Sequence, residues 1–328
     1  MGCVSIRRCR WGESPIMAVV KMRGLAITAV VMALVLTGCS GRHIPTQPEP
    51  APASTSGSVS ASGSSQVIRL ESGGRERQVI VHRPGSAAGT AGYPLVVMLH
   101  GGLGSAAQAE SSYGWDALAD QTGFVVAYPD GVDRTWNAGT CCGRAQRADI
   151  DDVAFLTDVV DQVSASLPID AKRRYLTGMS NGAMMTYRMA CESSLFVAIA
   201  PVAGTQLVGC TGATPTSVLH IHGTDDTQVR PDGKRGAAPG RVDGPPLSQI
   251  IKGWQTRDDC AAPQRSVSGA VTTSTAECAQ GRTVTWIMVA GAGHQWPGSK
   301  RSTYPGADSP SQALDATAQI WDFFDSHR

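Results

Sequence analysis

Three short segments carry groups that could act together on a carbonyl carbon. Gly178-Met179-Ser180-Asn181-Gly182 sets a serine between glycines, and His222-Gly223-Thr224-Asp225-Asp226-Thr227-Gln228-Val229 offers adjacent carboxylates. Gly291-Ala292-Gly293-His294-Gln295-Trp296-Pro297-Gly298 offers an imidazole among small residues. A serine hydroxyl is a poor nucleophile at neutral pH. It needs a base to take its proton, and the base needs a carboxylate to orient it.

In a chain with 37 glycines a bare G-x-S-x-G match means little, so its context decides. An apolar strand, Tyr175 to Thr177, leads into it and a helical stretch, Gly182 to Cys191, leads out. Ser180 then falls on a strand-to-helix turn too tight for side chains at the flanking positions, and is expected to be a nucleophile with its Oγ lifted clear of the sheet. The plain alternative is a packing turn. Among the seven histidines, His294 is the best base, being late in the chain and flanked by flexible glycine. His220 lies within a strand and His222 at its end, so both are expected to be structural. Asp226 is favoured over Asp225 as the acid, and Asp232, in a Gly- and Pro-rich loop, comes third. For the developing oxyanion, Leu95 to Leu99 ends in His100-Gly101-Gly102-Leu103-Gly104. Backbone N–H groups of Gly102 or Leu103 and of Asn181 are the expected donors, with His100 buttressing the loop.

These residues need elements to hold them. Val67 to Leu70 and Gln78 to His82 read as a hairpin around Ser72-Gly73-Gly74. Continuous apolar strands then alternate with helices: Leu95 to Leu99, helix Ala106 to Gln121, Phe124 to Tyr128, helix Val153 to Leu167 opened by Asp151-Asp152, and the segments around Ser180. Val197 to Val202, Val218 to Ile221, helix Leu247 to Thr256, Thr283 to Val289 and helix Ala313 to Phe324 complete the series. This pattern predicts the α/β class, a mostly parallel sheet with helices on both faces. The reacting groups would gather at the carboxyl ends of the strands.

Lys21 and Arg23 precede an apolar run, Gly24 to Leu36, that closes on Thr37-Gly38-Cys39. About 13 apolar residues are too few to span a bilayer, whereas a positive segment, a short apolar run and small residues make an export signal. Residues 1–39 are therefore expected to be a lipoprotein signal, with Cys39 the acylated residue and the true start at Met17 or Met22. Residues 40–65, rich in Pro, Ser, Ala and Gly, would be a tether, and 66–328 the catalytic domain, outside the cytoplasm. Lys plus Arg (28) nearly balance Asp plus Glu (27), which argues against a nucleic-acid partner and leaves the lipid as the only membrane contact. Six cysteines then remain in the domain, an even number that suggests disulfides. Nearness in sequence favours Cys191 with Cys210 and Cys260 with Cys278. Cys141 and Cys142 would be paired with each other or left as free thiols. The adjacent pair lacks zinc-ligand spacing, and no metal is expected.

Taken together, Leu99-His100-Gly101-Gly102, Trp136-Asn137 with Cys141-Cys142-Gly143, Asp151-Asp152-Val153, the Ser180 motif, His222-Gly223 with Asp226 and Val229, and Gly293-His294 with Trp296-Pro297-Gly298 form a distinctive set. It resembles the poly(3-hydroxybutyrate) depolymerase and feruloyl esterase family of α/β-hydrolases, particularly its bacterial lipoprotein members, from about Val67 onward. The resemblance implies the α/β-hydrolase fold and ester hydrolysis through Ser180, Asp226 and His294, without a cofactor. The family's H-G-x-x-D-x-x-V pattern selects Asp226. No linker with a separate polymer-binding domain is apparent, so short-chain, oligomeric hydroxyalkanoate or hydroxycinnamoyl esters are the expected substrates. Trp136 and Trp296 are candidate pocket walls. Peptide hydrolysis and non-catalytic surface binding are the competing expectations.

Overall fold

The computed structural model describes residues 62–238, 241–300 and 307–328. The expected signal segment, Cys39 and nearly all of the 40–65 tether lie outside the described residues. Strand β1 (Ser64–Ser72) starts at the very end of the span assigned to the tether. It turns through Gly73 and Gly74, at φ 57° and 70°, into β2 (Arg75–Arg83). Two successive positive φ angles are what a two-residue hairpin loop requires, and glycine adopts them at little cost. Both strands outrun their predicted ends because β1 lies at the sheet edge, where exposed charged residues pair as well as apolar ones.

Among the described residues ten strands form one sheet in the order β1-β2-β4-β3-β5-β6-β7-β10-β9-β8. Its centre is parallel: β4 (Val125–Pro129), β3 (Tyr93–Leu99), β5 (Ile169–Met179), β6 (Ala198–Val202), β7 (Ser217–Gly223) and β10 (Thr283–Val289). Every residue of β3, β4, β6 and β7 is buried, as expected for strands covered on both faces. Alternate side chains of β3 enter opposite cores. Leu95, Val97 and Leu99 pack with Phe155 of α4 (Asp152–Ser166) and Met184 of α5 (Asn181–Glu192), and with Trp254 of α6 (Leu247–Arg257). Val96 and Met98 pack with Tyr113 of α1 (Ala106–Tyr113), Trp115 of α2 (Trp115–Thr122) and Phe324 of α7 (Ala316–Asp325). The layers agree with the expected α/β class.

Several elements depart from the sequence reading. The single helix expected over Ala106 to Gln121 is two, broken at Gly114, whose φ of 80° ends α1 in the left-handed conformation. The short α3 (Gly143–Arg147) and the antiparallel hairpin β8 (Gln264–Ser268) with β9 (Val271–Glu277) were not anticipated. β8 is exposed throughout, so it has no apolar alternation to read. Helix α7 begins three residues later than predicted, where Asp315 caps it by accepting the Ala318 N–H at 3.1 Å. Disulfides join Cys191 to Cys210, Cys260 to Cys278, and Cys141 to Cys142, the last across a cis peptide bond.

Candidate active site

Ser180 sits in the one-residue corner between β5 and α5 at φ 56° and ψ −117°, a conformation an L residue adopts only under constraint. The constraint is steric on both sides. A Cβ at Gly178 would lie 2.6 Å from the Gly182 carbonyl carbon, and one at Gly182 would lie 2.5 Å from the Leu99 and His100 carbonyl oxygens. Glycine at both positions lets the helix leave the strand at once and pushes the serine above the sheet.

The serine meets two strand-end loops there. His294 Nε2 is 2.8 Å from Ser180 Oγ, and His294 Nδ1 is 2.8 Å from Asp226 Oδ2. A carboxylate can only accept, so Nδ1 carries the hydrogen and the Nε2 lone pair faces the serine hydroxyl. Asp226 is buried, and its Oδ1 accepts the N–H groups of Gln228 and Val229, each at 2.9 Å. Asp225 is exposed and, among the described residues, its side chain accepts only the neighbouring Thr224 hydroxyl. Burial opposes charge on Asp226, yet hydrogen bonds from His222 and His294 outweigh it and hold the carboxyl well below the usual carboxylate range. Asp308, which sequence reading passed over, accepts the His294 N–H at 2.6 Å and packs against Gly293, where a Cβ would collide with it. Nothing near Asp308 in sequence signals this, since the contact spans a loop.

On the other side of Ser180 lies the loop after β3. The Leu103 N–H donates to the Arg134 carbonyl at 2.9 Å, so of the two predicted donors Leu103 is spent within the protein. The Gly102 N–H has no partner among the described residues, and a Cβ on Gly102 would lie 3.7 Å from Asn181 Cβ. Asn181 opens α5, where the first N–H groups of a helix lack intrahelical acceptors and the dipole favours negative charge. His100 has the buttressing place expected of it. Its Nδ1–H donates to the Gly101 carbonyl at 2.8 Å, and its Nε2 accepts the Gly131 N–H at 3.0 Å.

Ser180 and His294 open into a cavity of about 460 Å³. Met184, Leu207, Val229, Val242 and the Cys141–Cys142 disulfide supply apolar wall, and Arg147 and Arg241 line it too. The two tryptophans proposed as pocket walls are elsewhere, which corrects that expectation. Trp136 is fully buried, donating Nε1–H to the His100 carbonyl at 2.9 Å beside Phe155. Trp296 stacks on Tyr113 at 4.6 Å and donates to Thr317 Oγ1 at 3.0 Å. Each lies close to a site residue in sequence but points into the core.

A family model described as Esterase PHB depolymerase matches residues 79–223. NocK of Nocardia uniformis subsp. tsuyamanensis, an inferred esterase, is 32% identical over 326 residues, 88% of this chain and 92% of its own. This chain belongs to the PHB depolymerase esterase family. Feruloyl esterase B of Piromyces equi is 29% identical over 66% of this chain and 42% of that protein. Poly(3-hydroxyalkanoate) depolymerase C of Paucimonas lemoignei is 34% identical over 46% of this chain and 36% of that protein. The chain thus spans less than half the length of these two relatives. An acetyl xylan esterase from Aspergillus awamori superposes with a TM-score of 0.58 at 15% identity, covering 80% of this chain and 99% of that one, which shows a shared α/β-hydrolase fold. The PHB depolymerase esterase match ends at Gly223. It therefore contains Ser180 and Gly102, whereas Asp226 and His294 follow it on the loops after β7 and β10.

Proposed function

We propose that this chain is an exported serine esterase acting through an acyl-enzyme, with Ser180 as nucleophile, His294 as base and Asp226 as the orienting acid. The observation that carries the reading is the unbroken row Asp226 Oδ2, His294, Ser180 Oγ, with both contacts at 2.8 Å, opening on the cavity. Ser180 Oγ attacks the ester carbonyl carbon while its proton passes to His294 Nε2. The carbonyl oxygen becomes an oxyanion, held by the Gly102 and Asn181 N–H groups. The intermediate collapses to the acyl-serine, and the alcohol leaves with the His294 proton. Water then attacks, giving its proton to His294, and the acid departs as Ser180 regains its hydrogen.

The cavity suits a short-chain, oligomeric hydroxyalkanoate or hydroxycinnamoyl ester, with the apolar wall of Leu207, Val229 and Val242 receiving part of it. Relatives named feruloyl esterase and poly(3-hydroxyalkanoate) depolymerase support that range. Three disulfides favour an oxidising compartment, in keeping with lipid attachment at Cys39. Ser180→Ala is expected to abolish p-nitrophenyl acetate turnover and fluorophosphonate labelling while the far-UV circular dichroism is unchanged; retained turnover refutes the reading. A panel of methyl ferulate, 3-hydroxybutyrate oligomers and acetylated sugars then ranks the substrates.

A further inference from the structure

From Asp226 a row of polar side chains continues away from the cavity into the core. His222, at the end of β7, places Nε2 2.8 Å from the Val229 carbonyl and 3.3 Å from Asp226 Oδ2. His222 Nδ1 is 2.8 Å from His220 Nε2, and His220 Nδ1 is 2.8 Å from the Tyr187 hydroxyl. His220 and Tyr187 are wholly buried, and His222 is 2% exposed. Being two apart on one strand, the histidines share a face and stack at 5.1 Å.

The Val229 carbonyl determines where the protons lie in this row. A carbonyl only accepts, so His222 Nε2 carries a hydrogen. In a neutral ring Nδ1 is then an acceptor, which places the next hydrogen on His220 Nε2. His220 Nδ1 accepts in turn, and the Tyr187 hydroxyl donates to it. Moving a proton onto His222 Nδ1 would reverse His220 and leave the Tyr187 hydrogen without an acceptor in a buried place, at the cost of an unsatisfied polar group.

We propose that His222 is a positioning residue for the Asp226–His294 pair, a neutral imidazole whose Nε2–H steadies the carboxylate, with His220 and Tyr187 locking it in that tautomer. This rests on the esterase reading of Ser180, Asp226 and His294. With Oδ1 held by two backbone N–H groups and Oδ2 shared by His294 and His222, the carboxylate cannot rotate without losing contacts. Because His222 is neutral, it orients Asp226 without cancelling the charge that His294 needs. Burial drives His220 well below the ordinary histidine range and Tyr187 far above the ordinary phenol, so neither of these two titrates near neutrality. The titratable groups facing His222 are His220 on its own strand, Asp226 on the following loop and, through Asp226, His294 after β10; Tyr187 of α5 faces His220.

Two measurements test this. In ¹⁵N-histidine spectra, His220 and His222 should both show a protonated Nε2 and a bare Nδ1; a hydrogen on His222 Nδ1 overturns the proposal without reference to activity. In kinetics with p-nitrophenyl acetate, His222→Met is expected to lower kcat about tenfold at nearly constant KM. Its acid limb in kcat/KM should move to higher pH, because losing the N–H dipole leaves more of the carboxylate field on His294. His222→Gln, which keeps an N–H donor, should recover part of both, and Tyr187→Phe, which removes one hydroxyl, should move the limb the same way by less. A uniform fall in rate with an unmoved limb in both His222→Met and Tyr187→Phe means mere packing and overturns the proposal. If His222→Met fails to fold, Tyr187→Phe and the spectra decide. Activity surviving in Ser180→Ala would defeat the esterase reading instead, and the two failures are thereby told apart.

Discussion

The Asn181 side chain clasps the peptide of Trp136: its Oδ1 accepts the Trp136 N–H at 2.7 Å, and its Nδ2 donates to the Trp136 carbonyl at 3.0 Å. The residue after Ser180 thus ties the start of α5 to the loop that brings the Cys141–Cys142 disulfide to the cavity. From the far side, Asp152 accepts the Asn137 N–H at 2.8 Å and pairs with Arg77 at 2.9 Å. Asn181→Ala keeps the backbone N–H but leaves the buried Trp136 N–H unsatisfied, a loss of about 1–3 kcal/mol, while the Trp136 carbonyl still accepts the Cys142 N–H at 3.0 Å. The expected result is a kcat/KM reduced about tenfold or more, with faster proteolytic cleavage between Asp130 and Gly143; unaltered cleavage and rate would show the clasp to be idle.

Asp225 and Asp226 are neighbours with opposite surroundings, and their amides should behave oppositely. Asp226→Asn leaves an acceptor-to-donor mismatch at His294 Nδ1 and favours the wrong tautomer, for a fall in kcat of about four orders of magnitude. Asp225→Asn, at an exposed position, should stay within about twofold of the parent. Steady-state kinetics on both variants settles which carboxylate serves His294.

Burial pushes the Asp258 carboxyl up to about 6, against the pull of Arg282 and the Thr216 N–H. An acid with a higher pKa folded than unfolded binds more protons when folded. Stability therefore falls as pH rises from about 4 to about 6 and stays lower above that. Asp258→Asn removes the titration, so it should melt close to the parent near pH 4 and above it near pH 7.5. Thermal denaturation across that range checks the sign, and a variant less stable at every pH would refute the assignment.

Trp296 stacks on Tyr113, meets Trp115 edge-on at 6.4 Å and is not among the residues that line the cavity. Trp296→Ala should cost about 3–5 kcal/mol in urea unfolding. The folded fraction should keep its KM across ester substrates.

How much of this could be read in advance depended on the range of the interaction. Strand and helix order came from local apolar patterning, and Ser180 from a motif whose steric logic is contained within Gly178 to Gly182. His294 and Asp226 were legible as candidates because each ends a strand on one edge of a parallel sheet. By contrast, the edge hairpin β8–β9 had no buried face to imprint a period, and Gly114 split a helix that looked continuous. Trp136 and Trp296 were misplaced because side-chain direction depends on which layer a loop packs against, not on its neighbours in sequence. Composition, order of elements and the chemistry-bearing residues were thus set by the sequence itself. The contact of His294 with Asp226 rather than Asp225, the diversion of the Leu103 N–H to Arg134, the contact of Asp308 with His294 and the row from Tyr187 to His222 were decided by tertiary structure. Each depends on distances of about 3 Å between residues far apart along the chain or on different sides of one turn, which folding alone brings together.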